Sequence, residues 1–90
     1  MTIKELLENL GGMGSEREKP LLRLMKELSP VSISSLMKYQ ADWNSEKPWE
    51  EFKEAQNKLI KECVELECSE FGRMVRSELN LPPFDLNLEV

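Results

Sequence analysis

Two thiols, Cys63 and Cys68, and seventeen carboxylates are the side chains with which this 90-residue chain could do chemistry, and it contains no histidine. Without imidazole the commonest general base and the commonest metal ligand are both missing. A spacing of five places the two thiols about 140° apart around a helix, so they neither share a metal nor close a disulfide unless the helix unwinds. Ile60, Val64 and Phe71 surround them with apolar groups, while Glu62, Glu65 and Glu67 oppose the thiolate that a reactive cysteine needs. They read as reduced, half-buried core cysteines. The carboxylates are spaced for lysine pairing on a helix surface, as in Glu54 with Lys58 and Glu50 with Lys53. Gly11, Gly12 and Gly14 resemble a phosphate loop only in composition. Such a loop follows a strand and carries a lysine at the next helix start, whereas here a helix precedes it. No catalytic residue, metal site or cofactor is assigned, and the chain is expected not to be an enzyme.

The element that carries these groups is one long helix-forming stretch, from about Pro48 to Asn80. Proline suits its first position, and Glu50, Glu51 and Glu54 favour the positive end of its dipole. Trp49, Phe52, Leu59, Ile60 and Cys63 share one face; Val64, Cys68, Phe71, Val75 and Leu79 form another, rotated from it. Glu67 falls between the two, where an unpaired charge is costly. Either the helix kinks near Cys68-Ser69, with Ser69 as a fresh N-cap and Gly72 softening the turn, or Glu67 meets a basic group across a dimer interface. The kink is the preferred reading. Pro82-Pro83 stops the helix.

Three shorter helices precede it. Thr2 with Glu5 makes a capping box, Ile3, Leu6, Leu7 and Leu10 make a stripe, and Gly11-Gly12 ends the first helix. The second spans about Lys19 to Leu28, with a start as early as Ser15 allowed by Ser15 and Glu18. Its inward residues are Leu21, Leu24, Met25 and Leu28. The third begins at Ser29-Pro30, with Ser29 as N-cap, and runs to about Trp43. The expected fold is therefore all-α: a bundle of about four helices over residues 1–81, with an extended tail over 82–90. Leu6, Leu10, Leu24, Leu28, Leu36, Trp43, Phe52, Ile60 and Phe71 are expected in one apolar cluster.

Charge narrows the function. The total is −5, but residues 1–41 carry +1, residues 42–70 carry −5 and residues 71–90 carry −1. An acidic helix disfavours nucleic acid, which requires phosphate neutralisation, and suits a basic protein surface. Apolar runs are too short to span a bilayer, and the first residues lack a signal-peptide pattern, so a cytoplasmic protein is expected. Phe84 to Val90 alternates apolar and polar residues like an extended strand, yet no partner strand is in sight. Such a tail lies back over its own helices or docks on another chain.

These features point to a protein-binding module, a small acidic regulator, inhibitor or accessory subunit. Phe84, Leu86 and Leu88 are its candidate anchors, Glu50, Glu54 and Glu62 its steering charges, and a homodimer is allowed. The first alternative is a DNA-binding regulator. Leu28 to Leu36 resembles the linker and second-helix start of a helix-turn-helix, which would expose Ser34, Ser35, Lys38 and Asp42. The second alternative is a small subunit of a larger enzyme complex.

Overall fold

The computed structural model describes residues 1–90. Five helices follow one another: α1 (Ile3–Asn9), α2 (Glu18–Glu27), α3 (Pro30–Asp42), α4 (Trp49–Cys68) and α5 (Glu70–Glu78). Single 3-10 turns at Leu10–Gly12 and Ser15–Arg17 join α1 to α2. The all-α expectation holds, and no helix is long and apolar enough to cross a membrane.

The expected long helix is two helices. Its break lies at Ser69, whose hydroxyl donates to the Leu66 carbonyl at 2.6 Å and accepts from the Gly72 N–H at 3.1 Å. One side chain thus ends α4 and caps α5. Gly72 does not merely soften this corner. A Cβ there would overlap the Leu66 carbonyl oxygen and sit 2.8 Å from the Glu67 Cα. α5 ends on a Schellman motif, with Asn80 at φ 57 and the Leu81 N–H bonded to the Arg76 carbonyl at 2.8 Å.

Ile3, Leu6, Leu10, Leu24, Leu28, Leu36, Ile60, Cys63 and Val64 share one buried cluster with Val90. Three members of the expected core stand elsewhere. Phe52 is buried in a separate aromatic group, its ring 5.6 Å from Tyr39, 4.6 Å from Trp43 and 5.0 Å from Trp49. Trp43 belongs to that group and is half-buried, and Phe71 is 57% exposed. Helical periodicity orders residues around one axis; the break at Ser69 reset the axis before Phe71.

The tail lies over its own helices. A turn at Leu86-Asn87, closed by the Asp85 side chain on the Asn87 N–H at 2.8 Å, interrupts the strand that alternation suggested. Only one antiparallel bridge forms, between Thr2 and Glu89. The tail's carbonyls serve a different purpose. The first N–H groups of a helix have no partner within it. Here Leu88 accepts from Ile3 N–H and Leu86 from Lys4 N–H, each at 3.0 Å, and Thr2 Oγ1 accepts from Glu5 N–H at 3.2 Å. The Glu5 carboxylate accepts in return from the Thr2 N–H, which holds it below the usual range. Deleting residues 82–90 is accordingly expected to lower Tm by several degrees, since it strips Val90 and Phe84 from the core and orphans two α1 donors. An unchanged thermal melt would show that the tail contributes nothing to the fold.

Candidate functional site

α5 is packed inside out. Its buried positions are Gly72 and Arg76, its large apolar residues Phe71 and Met74 are 57% and 61% exposed, and Leu79 at its C-cap is 48% exposed. The inward face exists to place Arg76, which is only 4% exposed. Its Nη1 donates to Glu67 Oε2 and to the Glu27 carbonyl, both at 3.0 Å, and its Nε donates to the Pro82 carbonyl at 2.7 Å. The guanidinium also lies 5.5 Å from the centre of the Phe84 ring, a cation–π contact. One arginine therefore joins α2, α4, α5 and the tail.

Glu67, 1% exposed, answers it. Its second oxygen accepts from the Ser29 backbone N–H at 2.7 Å, so Ser29 opens α3 without making a side-chain cap bond of its own. Burial pushes the Glu67 carboxyl up, but hydrogen bonds from Ser29 and Arg76, with help from Ser32, outweigh it and the net direction is down. Ser32 Oγ is buried and makes no hydrogen bond of ordinary length. The basic partner that Glu67 requires thus lies in its own chain, nine residues on, brought round by the break. A buried Glu followed by a Ser cap and an Arg was the visible signal for it.

The residues singled out by sequence do not form one surface. Phe84 and Leu86 are half-buried against the protein's own core, and Leu88 stays 38% exposed. Glu50, Glu54 and Glu62 are exposed. Phe84 sits by the Glu67 end of α4, whereas Glu50, seventeen residues earlier, lies about 25 Å away along the axis. Glu62 is about 80° further round than Glu54. Ser34, Ser35, Lys38 and Asp42 are exposed on α3, with Lys38 the single cation among them.

A second feature had no signal in the sequence. α2, α3 and α4 leave a cleft of about 530 Å³ between them, walled by Leu21, Leu22, Met25, Trp49, Phe52 and Ile60. Arg17 lines it and is 5% exposed. Its two terminal nitrogens donate to the side-chain oxygens of Asn57 and Gln56, both on α4. It forms no ion pair, and burial lowers its pKa.

Cys63 and Cys68 are free, the first buried and the second half-buried. Cys63 Sγ donates to the Ser32 carbonyl at 3.7 Å, and burial raises both thiols. Neither is poised as a nucleophile. No protein-family model matches the chain, and no curated protein or solved structure matches it either.

Proposed function

We propose that this protein is a protein-binding module, a regulator, inhibitor or accessory subunit without chemistry of its own, and that its docking surface is the outward face of α5. One observation carries this reading: a helix that buries an arginine and presents Phe71 and Met74 to solvent on one face, with Leu79 exposed at its C-cap. A small domain gains by covering apolar side chains. Two large ones a turn apart on one helix face, with a third at its end, mark a surface that another protein covers. Phenylalanine and methionine suit it, the first as a rigid anchor and the second as an adaptable filler. Glu70 and Arg73 flank the face with both signs of charge, and Glu78 stands one turn beyond Met74 on the face itself.

The test is a Phe71→Ser, Met74→Ser double variant. Both side chains are exposed, so its melting temperature is expected to match the wild type within a few degrees. A partner captured by crosslinking from the native cell extract, then purified and titrated, is expected to bind the variant at least about 30-fold more weakly, the cost of losing one interface anchor. If the partner is a second copy, light scattering will show a dimer that the substitutions dissociate. Unchanged partner affinity, with no change in oligomeric state, would overturn the assignment of α5.

A further inference from the structure

We infer that the cleft between α2, α3 and α4 is a binding site for a single-chain amphiphile with a carboxylate head, its chain along the apolar walls and its head on Arg17. This site lies apart from the α5 face and stands independently of the function proposed for it.

Arg17 supplies the first half of the argument. A guanidinium has five N–H donors, and two of them go to the amide oxygens of Asn57 and Gln56. Both acceptors are neutral. Glu18 also lines the cleft but makes no ion pair with Arg17. A buried cation usually stands against an anion, as Arg76 does against Glu67 in this same chain. Arg17 is as deeply buried as Arg76 and has none. Asn57 and Gln56 hold its fork in place, so the ordering needed to receive a planar two-oxygen anion is already done. The other cation of the lining, Lys53, is engaged by Glu50 at 3.7 Å. Arg17 is the one buried charge of the cleft, and Glu18 is exposed, so a singly charged carboxylate matches the site better than a doubly charged phosphate.

The cleft supplies the second half. Its volume of about 530 Å³ lies inside the range of about 300–1,000 Å³ that holds small ligands. Leu21, Leu22, Met25, Trp49, Phe52 and Ile60 supply its apolar lining. An unbranched chain ending in a carboxylate meets both demands.

The experiment titrates the full chain with octanoate, decanoate and dodecanoate, each below its micelle concentration, by calorimetry and by the combined fluorescence of Trp43 and Trp49. Affinity is expected to rise about fourfold for each methylene buried, until the chain outgrows the cleft. Decyltrimethylammonium, with the same tail and the opposite charge, is expected to bind at least tenfold more weakly than decanoate. Arg17→Met should remove that preference, and Arg17→Lys should keep the charge but lose part of the affinity with the fork. Should Arg17→Met fail to fold, the comparison of head groups on the wild-type protein decides alone. Equal binding of both decyl compounds, or no binding of any chain, would overturn the proposal. A dimer that resists dodecanoate, with no dodecanoate bound, would assign the cleft to a second copy and overturn it equally.

Discussion

Replacing Glu67 with alanine is expected to cost about 3–5 kcal/mol, a large fraction of what a domain of this size has. The loss is not that of one ion pair. Arg76 would be left 4% exposed with its charge uncompensated, and the Ser29 N–H at the start of α3 would lose its acceptor. A second substitution separates these effects. In Glu67→Met, Arg76→Met both charges are gone, and most of the stability is expected to return, because apolar replacement of a buried pair is often neutral. Denaturant unfolding of the two variants checks this. If the single variant unfolds like the wild type, the pair is incidental to the fold.

Acid should reveal the same group. The Glu67 carboxyl sits below its ordinary value of 4.5 in the folded protein, so folding favours its ionised form. Its contribution is therefore present in full above the unfolded value and disappears as pH falls through the folded one. Stability should hold from neutral pH to about 5 and decline below that. Glu67→Gln, which cannot titrate, should show a shallower acid decline than the wild type.

Gly72→Ala is expected to be nearly as damaging as the loss of Glu67, although it adds only a methyl group. That methyl would overlap the Leu66 carbonyl oxygen, and its next neighbours are backbone atoms of Leu66 and Glu67 rather than flexible side-chain ends. Relief must come from moving α5 off the end of α4. Overpacking costs about 1–3 kcal/mol where side chains can adjust, and here the backbone must move instead. Displacing α5 would also withdraw Arg76 from Glu67, so the expected total is about 3 kcal/mol or more. An alanine at Gly11, Gly12 or Gly14, where a Cβ meets nothing within 4 Å, is the matched control. Equal melting of Gly72→Ala and these controls would show that the corner is not tight.

Local patterns in the sequence were enough for α1 to α3 and the start of α4, and they favoured a kink at Ser69 over a dimer contact for Glu67. Each rests on neighbours within about four residues: the Thr2–Glu5 box, Pro30 in the first turn of α3, and a serine at position 69 after a misplaced glutamate. What chain neighbours cannot determine is the direction of an axis after a corner. Phe71 and Leu79 continue the apolar period of the residues before Ser69, so as one helix they would be buried. Turned at Ser69, they face solvent and Arg76 faces in. The tail shows the same division. Its alternation was legible, but the place of its carbonyls on the α1 N-terminus depends on two chain ends meeting more than eighty residues apart. The Arg17 cleft is tertiary altogether. The side chains that hold the cation lie 39 and 40 residues further along, on a helix whose periodicity says nothing of what crosses it. Secondary structure here was settled by contacts a few residues long, whereas both candidate surfaces depend on how finished helices pack, which only the balance of buried charge and apolar area across the whole chain decides.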